Sequence, residues 1–156
     1  MSTIGGQGAG ARAVSILVVD DDEGHAELAR RNLKRSGIDN EVRTLASGDA
    51  AVELLLGAGS EAALAGGAGF LVLLDINMPG MDGVEVLRRL KQDRRTRTIP
   101  VIMLTTADDP RSVQRCYALG CNVYLTKPID PAQFVDAIHR LGLLLSIISL
   151  PRPEEP

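Results

Sequence analysis

The sequence predicts an α/β protein, a doubly wound five-stranded parallel sheet with five helices, and three observations carry that prediction. Three short apolar runs rich in β-branched residues each end in a polar residue: Ile16-Leu-Val-Val-Asp20, Leu71-Val-Leu-Leu-Asp75 and Val101-Ile-Met-Leu-Thr105. Unbroken apolar runs of this length suit strands buried on both faces, as in parallel sheets. Two weaker strand candidates, Glu41 to Leu45 and Asn122 to Thr126, fall between and after them, and every gap is long enough for a crossover helix. Helical periodicity with start and stop signals fills those gaps. Because parallel crossovers are almost always right-handed, this alternation implies a central sheet with helices on both faces.

Each helix has its own justification. In the first, Ala26, Ala29 and Leu33 share a face and Gly37 closes the helix; in the second, Ala51, Leu54 and Leu55 do so and Gly57 closes it. Val84, Leu87 and Leu90 form the apolar stripe of the third. Asp109 and Pro110 are an N-cap and first-position pair opening the fourth, whose Val113, Cys116 and Tyr117 share a face and whose stop is Gly120. Asp130 and Pro131 repeat that start, and the fifth helix runs through Phe134, Ile138 and Leu141. The Ala/Gly-rich segment between Gly57 and Gly69 fits either an extension of the second helix or a loop.

A chain of 156 residues with 45% hydrophobic content supports one sizeable core, so one domain is expected over residues 15–142. Residues 1–14, rich in Gly and Ala, read as a flexible tail without the apolar segment of a secretory signal. The stretch from Leu141 to Leu150 is shorter than the roughly 20 residues that span a bilayer, so no membrane crossing is expected. Lys and Arg number 17 against 20 for Asp and Glu, a net charge of −3 that disfavours polyanion binding. With two Phe, two Tyr and no Trp, neither a base-stacking platform nor a nucleic-acid partner is expected. Cys116 and Cys121 fit neither a disulfide framework nor a zinc site, which points to a reducing cytoplasm.

In doubly wound sheets ligands sit at the carboxyl ends of the strands. Those ends carry Asp20, Asp21 and Asp22 after the first strand, Asp75 after the third, Thr105 and Thr106 after the fourth, and Lys127-Pro128 after the fifth. Carboxylates about 4 Å apart repel by roughly 4 kcal/mol at an effective dielectric near 20, so such a cluster calls for a proton or a cation. All-oxygen ligands favour Mg2+ over zinc. With Lys127 as a second positive charge, Thr105 as a hydroxyl donor and backbone N–H groups from Asn77 to Gly83, the parts suit phosphoryl transfer onto a carboxylate. Asp75 is the candidate nucleophile.

Four runs in order, Leu17-Val-Val-Asp-Asp21, Leu73-Leu-Asp75-Ile-Asn-Met-Pro-Gly-Met-Asp-Gly83, Pro100-Val-Ile-Met-Leu-Thr105 and Tyr124-Leu-Thr-Lys127-Pro128, resemble the receiver domain of two-component response regulators. The resemblance covers about residues 15 to 142 and implies a flavodoxin-like sheet of order 2-1-3-4-5. It implies further that Asp75 accepts a phosphoryl group from a histidine kinase, and that Asp20, Asp21, Asp75 and the carbonyl of Asn77 hold Mg2+. It makes Lys127 the ligand of the phosphoryl oxygens, with a cis Lys127-Pro128 bond, and makes Thr105 and Tyr124 a switch pair. Asn77 and Ala107 stand where receivers tune acyl-phosphate lifetime, and the small Ala107 implies slow to moderate self-dephosphorylation. A finer resemblance is to the single-domain response regulators of bacterial phytochrome histidine kinases, on the stretched segment before the third strand, the Leu104-Thr-Thr106 run and the apolar extension ending Leu150-Pro151. The function implied is a phosphorylation-controlled binding switch or a shuttle to a histidine phosphotransfer protein.

Two other readings compete: a Mg2+-dependent phosphatase or phosphotransferase working through an aspartyl phosphate, and a pseudo-receiver used only for protein interaction. Such enzymes usually carry a second acid two residues beyond the nucleophile, where this chain has Asn77. Asp22 and Asp82 are read as a helix-start and a turn residue, His25 and His139 as exposed or packing residues rather than phosphoacceptors, Cys116 as core and Cys121 as partly buried. The basic run Arg94-Arg95-Thr-Arg97 is read as a solvated loop. In the extension 143–156, Leu143, Leu144, Leu145, Ile147, Ile148 and Leu150 exceed what one helix end can bury against its own core, and an interface with a second copy, a homodimer arm, is expected.

Overall fold

A strand covered on both sides must be apolar at nearly every position, and the three strongest apolar runs of the sequence occupy the middle of the sheet. The computed structural model describes residues 14–58, 69–106 and 110–140. In chain order these form β1 (Ser15–Val19), α1 (Glu23–Arg35), β2 (Val42–Leu45), α2 (Gly48–Leu56), β3 (Phe70–Asp75), α3 (Gly83–Gln92), β4 (Val101–Thr105), α4 (Pro110–Leu119), β5 (Val123–Thr126) and α5 (Pro131–Arg140). All pairings are parallel and the strand order is β2-β1-β3-β4-β5. β3, at the centre, is buried at all six positions, whereas the edge strand β2 has no buried residue. That difference is why one is written in unbroken apolar letters and the other is not.

Alternate strand residues feed two separate cores. Ile16, Val18, Leu71, Leu73, Ile102 and Leu104 face α1 and α5, meeting Leu33 and Phe134. Leu17, Val19, Val72, Leu74, Val101 and Met103 face the opposite way, onto Leu55 of α2, Leu87 and Leu90 of α3, and Cys116 of α4. Val14, the last residue of the expected tail, is itself buried, and its carbonyl accepts a 2.9 Å hydrogen bond from the Asn40 side chain. Segments 1–13, 59–68, 107–109 and 141–156 lie outside the described residues. With them go the flexible tail, most of the segment 57–69, Ala107, the Asp109 cap, Leu141 and the expected dimer arm from Leu143 to Leu150.

Side-chain caps open the helices. Asp22 accepts from the N–H of His25, Ser47 from that of Ala50 and Asp82 from that of Glu85, each at 3.0 Å, and Asp130 from that of Gln133 at 3.1 Å. Asp82, expected in a turn, is thus the N-cap of α3. Ser47, which the sequence reading passed over, caps α2. The expected apolar face of α4 is only partly buried: Cys116 is fully covered, Val113 is half-buried and Tyr117 is exposed. The helix packs against α3 and the edge strand β5, and nothing lies beyond β5 among the described residues to cover its outer side. Cys121 is buried rather than partly so, and burial pushes its thiol up to about 12.

One buried polar bond joins the two ends of the fold. Asn32 of α1 donates from Nδ2 to the carbonyl of Ile129 at 2.7 Å, tying α1 to the loop between β5 and α5. Replacing Asn32 by Leu strands that carbonyl, so N32L is expected to lose about 1–3 kcal/mol in urea denaturation; an unchanged midpoint and slope would show that the bond contributes nothing.

Candidate functional site

The parallel ladder sets the depth of every strand end, and four of those ends converge. Asp20 follows β1 directly, Asp75 closes β3, Thr105 closes β4 and Lys127 follows β5. Asp75 is paired with Leu104, Thr105 with Thr126, and the N–H of Lys127 donates to the Thr105 carbonyl at 2.7 Å. Residues more than a hundred positions apart, Asp20 and Lys127, thereby become neighbours.

Asp20, Asp75 and Thr105 are buried, while Asp21 is exposed at the rim. Carboxylate oxygens of Asp20, Asp21 and Asp75 lie within 4.8 Å of one another. The Lys127 ammonium reaches between two of them, 2.5 Å from Asp20 Oδ2 and 3.3 Å from Asp75 Oδ1. Asp20 Oδ1 accepts the N–H of Asp22 at 2.9 Å, so its carboxylate is fixed at both oxygens. One ammonium faces three acids, and the donor set is all oxygen. That chemistry fits a hard divalent cation and does not fit zinc, which prefers sulfur and imidazole.

The loop after β3 is held by a backbone constraint. The N–H of Gly83 donates to the Ile76 carbonyl at 2.8 Å, and a Cβ at position 83 would lie 2.1 Å from the carbonyl oxygen of Asp75. No larger residue fits there without moving the strand end that carries Asp75. Gly80, with φ +71°, makes the turn between them. Asn77 has an exposed side chain, and its backbone N–H favours the charged form of the Asp75 carboxyl. The Lys127-Pro128 peptide is cis, as the family resemblance implied.

Tyr124 stands apart from the acid cluster. It is half-buried on β5 opposite Met103, and lines a surface groove with Val113 and Tyr117 of α4 and Arg140 of α5. Two features of the site escaped the sequence reading. The steric role of Gly83 was one, although the Met-Asp-Gly run carried it. The other is His25, set among polar residues on α1, whose Nδ1 lies 3.0 Å from Lys127 Nζ. The available signal was its position in the first turn of the helix leaving β1, which must lie beside the carboxyl edge.

A parallel sheet that winds outward in both directions from β1 and β3, with its acids where the winding reverses, defines a flavodoxin-like α/β domain with a site at the switch point. Residues 16–139 match the model of the response regulator receiver domain, and the chain belongs to that family. Receiver domains are phosphoacceptors rather than conventional enzymes, and they bind Mg2+ or Mn2+ in their acidic pocket. The response regulator Rcp1 of Synechocystis sp. is 39% identical over 112 residues, covering 72% of this chain and 75% of Rcp1. A structure of Rcp1 in its Mn2+-bound form superposes with a TM-score of 0.66 at 33% identity, covering 89% of this chain and 99% of that one. A receiver domain from Rhodospirillum rubrum is 42% identical with a TM-score of 0.69, covering 91% of this chain and all of its own. The bacteriophytochrome response regulator RtBRR reaches a TM-score of 0.75 at 36% identity, over 90% of this chain and 85% of its own. Phytochrome response regulators are therefore among the relatives of this receiver. Among the described residues no helix is long and apolar enough to cross a membrane.

Burial raises the carboxyl of Asp75 above its usual range; the Lys127 ammonium opposes this and the neighbouring Asp20 charge adds to it. A carboxyl raised in the folded state favours folding below its unfolded pKa, and that contribution is lost as pH rises through the folded value. At neutral pH the ionised Asp75 therefore costs stability. The isosteric Asp75→Asn protein is expected to melt above the wild type at pH 7, with the gain fading as pH falls through the raised folded value of the carboxyl and gone below about 4, where the wild-type carboxyl is protonated in both states. Melting curves across pH, without added metal, check both the sign and its disappearance.

Proposed function

We propose that this receiver accepts a phosphoryl group from a histidine kinase on Asp75 and works as a phosphorylation-controlled binding switch or as a shuttle to a histidine phosphotransfer protein. The single observation that supports this most directly is the Lys127 ammonium set between Asp20 and Asp75, beside three converging carboxylates. An Asp75 oxygen attacks the phosphorus; the bond from phosphorus to the donor imidazole nitrogen breaks, and its electron pair stays on that nitrogen. Lys127 receives the phosphoryl oxygens, and the Thr105 hydroxyl donates to them once they are in place. Asp20, Asp21, Asp75 and the carbonyl of Asn77 are the residues to hold Mg2+, which when bound neutralises charge gathered around the transferred group. Thr105 and Tyr124 carry the change toward the groove between α4, β5 and α5 by biasing an existing equilibrium between two conformations.

The phytochrome relatives support a bacteriophytochrome histidine kinase as donor, hence a cytoplasmic setting, and the apolar residues from Leu143 to Leu150 support a homodimer. Acetyl phosphate with Mg2+ is expected to add one phosphoryl group, measured by intact mass, and Asp75→Asn or chelation to abolish it. Turnover of a phosphomonoester would instead favour the phosphatase reading, and no labelling the pseudo-receiver. Removal of residues 143–156 is expected to halve the mass measured by light scattering; an unchanged mass overturns the dimer arm.

A further inference from the structure

We propose that His25 is a positioning residue for Lys127, its neutral imidazole presenting the Nδ1 lone pair to the ammonium and holding it where the phosphoryl oxygens arrive. The inference rests on the reading of Asp75 as the phosphoacceptor and extends it to a residue outside the acid cluster.

An ammonium has three N–H donors and no lone pair, so at a contact of 3.0 Å Nδ1 must be the acceptor and the ring proton sits on Nε2. The helix start explains why the ring adopts that orientation. The His25 N–H donates to the Asp22 cap at 3.0 Å, and Nε2 faces the other oxygen of the same carboxylate at 3.8 Å, which favours the proton on that nitrogen. Asp22 thus orients the imidazole, and the imidazole orients the lysine.

The three neighbours of Nζ differ in what phosphorylation leaves of them. Asp75 Oδ1, at 3.3 Å, belongs to the carboxylate that becomes an acyl phosphate and loses its full charge. Asp20 Oδ2, at 2.5 Å, belongs to the acid cluster that would also hold a divalent cation. The His25 imidazole offers a lone pair without a charge of its own, and its Nδ1 lies 3.9 Å from Asp20 Oδ2. A carboxylate in its place would offset the lysine charge that the phosphoryl group needs and would raise Asp75 further by repulsion. A neutral acceptor fixes the ammonium while leaving its charge to act. The Lys127 side chain is 9% exposed, so few water molecules compete for the same protons.

Two variants separate hydrogen bonding from bulk. His25→Phe keeps a ring without a lone pair, and His25→Asn places a carboxamide oxygen near the position of Nδ1. His25 is 44% exposed on its side chain, and melting curves establish that both variants fold. The first measurement is the Lys127 ammonium signal in nitrogen-15 NMR of the metal-free protein: a slowly exchanging resonance in the wild type and His25→Asn, lost in His25→Phe. The second is the rate of labelling by acetyl phosphate at saturating Mg2+, expected to fall about tenfold in His25→Phe and to stay within about threefold in His25→Asn, in line with loss of a hydrogen bond to a charged group. An unchanged ammonium signal and rate in His25→Phe overturn the proposal, as does equal impairment of the two variants. If the wild type takes no label at all, the phosphoacceptor reading falls, while the ammonium signal still decides whether His25 holds Lys127.

Discussion

Asp20 and Asp75 are withdrawn from water at the ends of adjacent strands, and the charge that this buries organises everything around it. A buried carboxylate pair without compensation would protonate or distort the strands that carry it. Lys127 answers part of that demand by lying between the two, and the N–H of Asp22 answers another part at one Asp20 oxygen. With Asp21 at the rim the cluster still holds more negative charge than one ammonium balances. The same imbalance that costs stability suits the site to a divalent cation.

That electrostatic arrangement needs a backbone that cannot drift. The sheet supplies it, because the ladder between β3, β4 and β5 steps Asp75, Thr105 and Lys127 upward by one residue from each strand to the next. The loop after β3 is folded back so closely that only glycine fits at position 83. Asn32 then anchors the segment beyond Lys127 to α1, the helix that also brings His25 to the site. Rigid support from three directions lets one lysine serve several acceptors.

Most of the fold was legible in the letters. Central strands covered on both faces must be apolar throughout, so Leu71 to Asp75 and Val101 to Thr105 announced themselves. The edge strand β2 was less sharply marked, since half-exposed positions tolerate many side chains. The N-caps Ser47 and Asp82 went unread because Ser and Asp serve turns and caps alike, and only the backbone entering α2 and α3 distinguishes the two. Tyr117 had the spacing of a core residue, yet its exposure depends on what lies beyond an edge strand, which periodicity does not encode.

By itself the sequence determined the alternation of strands and helices, the family, and which acids, hydroxyl and lysine stand at strand ends, because these follow from local patterning and from motifs a few residues long. The contact between Lys127 and His25, the closeness of Gly83 to the Asp75 carbonyl, and the degree to which Asp20 and Asp75 leave water were decided only by tertiary structure. Each is a distance between groups far apart along the chain or a matter of how much protein surrounds a group. Such quantities arise when the sheet closes around them, and no stretch of neighbouring residues specifies them.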